Sequence, residues 1–427
     1  MLNKIKNIAN TEDKKRLLSN FFSLSILQGA NYILPLRIFP YLVKVLGVEK
    51  YGLIAFAQAF IQYFNILTDY GFNLSATREI SIHRENKEKV SEIFSSVMII
   101  KFILLVVSLI IMSVIVFSFD KFKRDWLIYY LTFGIVIGQV LFPVWFFQGM
   151  ERMKYITYLN ILAKSIFTVA IFIFVQEQSD FWIVPLLTSV GFIIAGLWSL
   201  WIIKNNFNIK FKFQEKQTII YHLYEGWYVF ISGMYTLSYT LSIPLILGIL
   251  TNNTILGYYS ISEKIIKSIS SLYLPLNQAI YPYVNKLIQT SEKKAKEFIL
   301  KLLIFSGIIM LIISIIIYFS SEYIICFIAG EVLIEAVIVL KVLSLFPFII
   351  TIARIFSFNY IISFGYKKEL STLYFISALI SIPITLLLII CFQEIGAALA
   401  VIIIESFVNI LMAKLIFNKI GFKYYDK

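Results

Sequence analysis

Polar and apolar positions alternate along this chain in long blocks. Apolar runs of about 20 residues, the length a helix needs to cross roughly 30 Å of hydrocarbon, recur between short polar connections. Twelve such segments are predicted, at 19–43, 52–74, 93–118, 126–148, 156–175, 181–203, 225–249, 255–281, 299–319, 336–362, 370–391 and 396–417. A membrane β-barrel would need strands of about 10 residues with alternating character, and runs such as IIMLIISIII at 308–317 do not alternate. The first segment is too long for a signal peptide and lacks a small-residue cleavage site. The fold class expected is therefore an all-α polytopic membrane protein.

Composition agrees. Of 427 residues, 59% are hydrophobic and only 15% charged, too few polar side chains to cover a water-soluble surface. Soluble enzymes, secreted disulfide scaffolds and disordered chains are excluded. Cys326 and Cys391 lie in or beside apolar runs and imply no disulfide framework. His83 and His222 sit in or next to charged connections, and no cluster has metal-ligand spacing, so neither metal nor cofactor is expected.

The net charge of +13 would suggest nucleic acid in a soluble protein; here its placement points elsewhere. The N-terminus, the even-numbered connections and the C-terminus carry 24 of the 38 Lys and Arg, and the odd-numbered connections carry five. That asymmetry predicts cytoplasmic termini, with anionic lipid as the partner of the basic excess. The connections, 204–218 among them, are too short for a folded domain. Any activity is expected within the bilayer.

A weak internal repeat is visible. VLGVEKYGLIAFA at 45–57 and LTNNTILGYYSIS at 250–262 each place a glycine, Gly52 or Gly257, at the start of an inward-running helix. On that register Gln58 matches Glu263 and Gln62 matches Lys267. Gly149 and Gly365 follow the fourth and tenth segments in similar contexts. Two six-helix bundles, 1–210 and 211–427, are expected around a central cavity, related by an axis along the membrane normal.

The polar residues inside the segments fall on helical faces. Gln58, Gln62, Asn65 and Asp69 share one face of the second segment. Glu225, Tyr228, Ser232, Tyr235 and Tyr239 share one face of the seventh. Lys164 lies with Asn160 and Thr168, Glu263 with Lys264 and Lys267, Lys341 with Ser344, Thr351 and Arg354, and Glu405 with Asn409. A charge at a helix centre costs roughly 2.5–3.5 kcal/mol on insertion scales, so these groups should meet water or a partner. The bland alternatives are pairing of Glu263 with Lys267 at i, i+4, amide glue between helices, and snorkelling of Arg37, Lys101 and Lys414 near segment ends. Six cations, Arg37, Lys164, Lys264, Lys267, Lys341 and Arg354, stand against Asp69, Glu225, Glu263 and Glu405. A net cationic cavity suits phosphate or carboxylate, and tyrosines and amides suit sugars, which predicts an anionic, sugar-bearing cargo. Prolines at 35, 40, 143, 185, 244, 275 and 347 interrupt the segments and allow bends.

Between Ser19 and Ser81 the chain reads LSILQGANYILPL at 24–36, PYLVKVLG at 40–47, YGLIAFAQA at 51–59 and TDYGFNLSATRE at 68–79; WFFQG follows at 145–149, with Glu151, Met153, Lys154 and Tyr155. These stretches resemble the O-antigen flippases, polysaccharide transporters of the multidrug/oligosaccharidyl-lipid/polysaccharide exporter superfamily. The resemblance is specific over about 1–165; beyond it the segment pattern matches more than the letters. Arg37 departs from the apolar residue expected there.

The resemblance implies twelve helices in two bundles and no enzymatic activity. It implies translocation of undecaprenyl-diphosphate-linked oligosaccharide from the cytoplasmic to the periplasmic leaflet of a bacterial inner membrane, by alternating access coupled to protons or sodium. A polysaccharide polymerase and a chain-length regulator are the implied protein partners. The positions contacting cargo do not transfer from the family, so the candidates come from the faces above. Lys164, Lys264, Lys267 and Arg354 are assigned to the head group, Tyr228, Tyr235 and Tyr239 to sugars, and Arg37, Gln58, Gln62 and Asn65 to further contacts. Asp69, Glu225 and Glu263 are the coupling-ion candidates. A multidrug exporter of the same superfamily is the alternative; it would favour a carboxylate-dominated cavity. A polytopic O-antigen polymerase or ligase would carry a long basic periplasmic loop, and the longest outside connection, about 320–335, has no Lys or Arg.

Overall fold

The computed structural model describes residues 12–240 and 242–420, which are helical with short connections and, among the described residues, hold no strand. Among the described residues, seven helices are long and apolar enough to cross a membrane: Lys87–Ser118, Trp126–Gly149, Met153–Phe174, Gln178–Asn206, Glu292–Ala329, Ile334–Ile362 and Lys367–Lys419. The chain is an all-α multi-pass membrane protein.

Two helical runs are longer than any span. Glu12–Asp69 has 58 residues, about 87 Å if straight, nearly three times the hydrocarbon thickness. It is broken at Gly47, with φ 71° and ψ 172°, inside the predicted first connection. Lys367–Leu415 is broken at Gln393, with φ 48° and ψ −122°, inside the predicted eleventh. A Cβ on Gly396 would collide with the Leu388 carbonyl, eight residues back, so the chain folds on itself there.

Other segments are split at proline. Trp126–Leu141 gives way to Val144–Gly149 at Pro143, and Asn253–Ser271 to Leu274–Thr290 just before Pro275. Ile334–Leu343 ends before Pro347, and Phe346–Arg354 continues as a π-helix, Ile355–Ile362. Proline lacks the N–H that would bond the preceding turn and crowds its carbonyl, so each break follows from the residue type.

The second predicted segment ends earlier than expected, at Asp69 rather than residue 74. Tyr70 (φ 48°) and Gly71 (φ 77°) turn the chain, and Phe72–His83 forms a separate helix with Phe72, Ala76 and Ile80 buried. That i, i+4, i+8 stripe belongs to a surface helix and stands where a loop is expected. Gly149 lies against Ile80, the Thr77 hydroxyl donates to Trp145 O at 3.2 Å, and Arg84 pairs with Glu151 at 2.5 Å.

The chain divides into two compact units. One comprises the residues up to Phe39 and Ala57–Met234; the other comprises Pro40–Phe56 and the residues from Tyr235 onward. In the first, Trp126–Leu141 crosses Ile183–Asn206 at small residues. A Cβ on Gly134 would meet Ser189, on Gly138 Phe192, and on Gly196 Leu141, and the Ser199 hydroxyl donates to Leu141 O at 3.1 Å. Glycines four apart let backbones approach closely where lipid offers no hydrophobic driving force. In the second unit the two repeat-matched glycines face each other. A Cβ on Gly52 would strike Asn253 O, and one on Gly257 would strike Val48 O.

The connection after the sixth segment folds back over the first unit, where Lys212 N donates to Ser95 Oγ at 3.0 Å. Beside it, ahead of the seventh segment, His222 is 4% exposed. Burial lowers its pKa from 6.5 to about 4, against an opposing pull from Glu92. A histidine held neutral in the fold contributes stability above its unfolded pKa, and that contribution is lost as pH falls through the folded one. The first unit is expected to lose about 3 kcal/mol between pH 7 and pH 4 through this group. Unfolding midpoints across that range check it: the wild-type profile should flatten in His222→Gln.

Candidate functional site

Each unit holds its own polar cavity. That of the first encloses about 150 Å³ and is lined by Asn65, Thr68, Asp69, Asn73, Lys101, Gln139 and Asn160, with Phe142, Val144 and Phe192. Asp69 is the last residue of its helix, where the carbonyl end of the dipole disfavours a carboxylate. Two groups compensate. Asn73 Nδ2 donates to Asp69 Oδ1 at 2.7 Å, and Lys101 Nζ lies 3.7 Å from the same oxygen. The Lys101 side chain is 5% exposed, so it does not snorkel: it is the buried counter-charge of Asp69. Asn65 donates to Gln62 Oε1 at 3.1 Å, while its own Oδ1 is buried without a partner.

The second unit's cavity is larger, about 310 Å³, and joins three of the predicted faces. Tyr259, Glu263, Lys267 and Ser270 come from Asn253–Ser271, Arg354 from Phe346–Arg354, and Glu405 from Lys367–Leu415; the remaining lining is apolar. Lys267 Nζ lies 2.9 Å from Glu263 Oε1, and the Tyr259 hydroxyl donates to the same oxygen at 3.1 Å. The i, i+4 pairing and the cavity reading therefore hold together. Arg354 Nη1 donates to Ser270 O at 2.6 Å, a carbonyl next to the break before Pro275. Asn409 donates to Ile349 O at 2.9 Å, and Asn359 to Asn277 Oδ1 at 2.9 Å in a buried amide pair.

The other candidates are distributed differently. Lys264, Arg37, Gln58 and Lys341 are exposed, and Lys164 and Glu225 half-buried. Tyr228 is 67% exposed and edge-on to Tyr224. Tyr235 and Tyr239 lie outside the residues whose side chains are described. Lys267 pairs with Glu263 and Lys101 with Asp69, while Arg354 and Glu405 line the second unit's cavity beside Lys267 and Glu263. Lys101 as a partner of Asp69, and Asn73 and Gln139 beside it, were not predicted. Lys101 was visible in the sequence as a cation near a segment end, but only the packing of Lys87–Ser118 aims it at Asp69.

The fold is shared with solved structures of membrane transporters. The lipid II flippase MurJ in its inward closed conformation matches with a TM-score of 0.69 at 14% identity, over 94% of this chain and 87% of its own. A multidrug resistance MATE family transporter in its inward-facing conformation matches with a TM-score of 0.66 at 14% identity, over 94% and 99%. The family described as "Polysaccharide biosynthesis protein" matches residues 17–288, and the chain belongs to that family. Two relatives carry the name "Putative O-antigen transporter". One, from Escherichia coli (strain K12), is 31% identical over 95% of this chain and 98% of its own. The other, from Shigella dysenteriae, is 26% identical over 92% and 98%.

Proposed function

We propose that this protein is an inner-membrane flippase that moves undecaprenyl-diphosphate-linked O-antigen repeat units from the cytoplasmic to the periplasmic leaflet, with both termini in the cytoplasm. The observation that carries this reading is the relation, along nearly the whole chain, to relatives named as O-antigen transporters. The reading is of a transporter and not of an enzyme, and it takes the polysaccharide polymerase and chain-length regulator as partners that receive the flipped cargo. Alternating access driven by a proton or sodium gradient supplies the direction.

The second unit's cavity supports this reading. Lys267 and Arg354 offer donors to a pyrophosphate or an acidic sugar, and Phe346 and Ile350 an apolar wall. Lys267 keeps 47% side-chain exposure while paired with Glu263, so it can turn toward an anion without leaving a fully buried partner bare. A charge-assisted hydrogen bond contributes about 1.5–3 kcal/mol. Lys267→Ala is therefore expected to slow flipping about tenfold or more. The assay is vesicles reconstituted with the protein and defined lipid-linked oligosaccharides, read alongside surface polysaccharide at low expression. An unchanged rate removes Lys267 from the mechanism. Export of cationic drugs with no effect on lipid-linked sugars would replace the flippase with the multidrug reading.

A further inference from the structure

Glu405 differs from Asp69 and Glu263, which are paired with Lys101 and Lys267. It is 9% exposed and faces the second unit's cavity. Among the described residues its carboxylate receives no hydrogen bond and forms no ion pair. Charged and titratable groups approach it from several elements. From Asn253–Ser271, Lys267 and the Tyr259 hydroxyl both address Glu263, at 2.9 Å and 3.1 Å. From Phe346–Arg354, Arg354 acts on Glu405 through space, while its Nη1 is anchored on Ser270 O at 2.6 Å. Tyr374, on the earlier arm of Lys367–Leu415, lies within electrostatic reach. Ser242–Leu250 contributes only Ile243 to the lining.

A carboxylate buried in a membrane helix without a bonded counter-charge takes up a proton or a cation. A metal cation needs several oxygen ligands, and the other carboxylate lining this cavity, Glu263, is already paired with Lys267. We propose that Glu405 is a proton-binding site of this protein and that its protonation decides where Arg354 is held. With the proton on Glu405, the carboxyl is neutral and Arg354 caps the Ser270 carbonyl, as observed. When the proton leaves to cavity water, the carboxylate draws the guanidinium toward the twelfth segment. The Ser270 carbonyl then loses its donor at the break in the eighth segment, so gain and loss of one proton bend that helix.

This site deepens the flippase reading, on which it rests only for the use made of the proton; its test involves no polysaccharide. Infrared pH titration of the purified protein in lipid reads the carbonyl band of protonated carboxyls. Wild type should show a component that titrates with pH, and Glu405→Gln should lose it. Glutamine matches the size and neutrality of the protonated side chain, and an unchanged elution profile checks the fold. If that variant aggregates, Glu405→Asp should shift the midpoint of the same component. A component retained in Glu405→Gln, or unmoved in Glu405→Asp, overturns the proposal. So does one displaced by sodium at constant pH, which would make the ligand a metal cation. If the component behaves as expected but vesicles flip no lipid-linked sugar, the proton site stands and the cargo assignment falls.

Discussion

Alanine at Gly257 is expected to destabilise the second unit by about 3 kcal/mol, the upper end for added volume in a packed interior. The added methyl would press on Val48 O and the Val48 side chain. Because backbone lies behind it, no rotamer change relieves the clash. Alanine at Gly52 should act similarly through Asn253 O. Gly365 is the control: nothing lies within 4 Å of its Cβ position, and only its φ of 89° resists substitution, at a cost of roughly 1 kcal/mol. Thermal unfolding in detergent should rank Gly257→Ala and Gly52→Ala well below Gly365→Ala. Equal midpoints for all three would mean that the crossing is not a tight contact.

Removing Lys101 should be comparably severe for a different reason. Lys101→Ala leaves Asp69 beside the negative end of its helix with only Asn73 as donor. Breaking a buried ion pair from one side costs about 3–5 kcal/mol; Asp69 keeps 30% side-chain exposure, which places this case near the lower bound. The double variant Lys101→Met/Asp69→Asn should recover most of the stability, because no charge is then left uncompensated. If Asp69 also carries the coupling ion, the double variant folds but transports poorly. Unfolding midpoints combined with vesicle flipping separate the two effects. A double variant no more stable than Lys101→Ala would show that the pair is incidental.

The apolar blocks made the fold class readable, since hydrocarbon admits a spanning helix only where some 20 residues are apolar. The breaks at Pro143, Pro275 and Pro347 were readable for the same kind of local reason. The helix Phe72–His83 was not, although its stripe was present. A resemblance of its first residues to the end of a span masked the turn at Tyr70 and Gly71. The G-x-x-x-G at 134–138 was in plain view too, but its meaning depends on which helix crosses it.

For the candidate site, the sequence sufficed to place Glu263 with Lys267, because four residues along a helix is a fixed distance. It could not pair Asp69 with Lys101, aim Arg354 at the Ser270 carbonyl, or leave Glu405 without a partner. Those relations join residues from different helices. Composition and periodicity determined that this chain lies in a membrane and which residues would be costly there. Which charges neutralise one another, and which is left to bind something else, was decided only by the crossing of helices, since helix axes must come within about 8–10 Å before side chains far apart in sequence can meet.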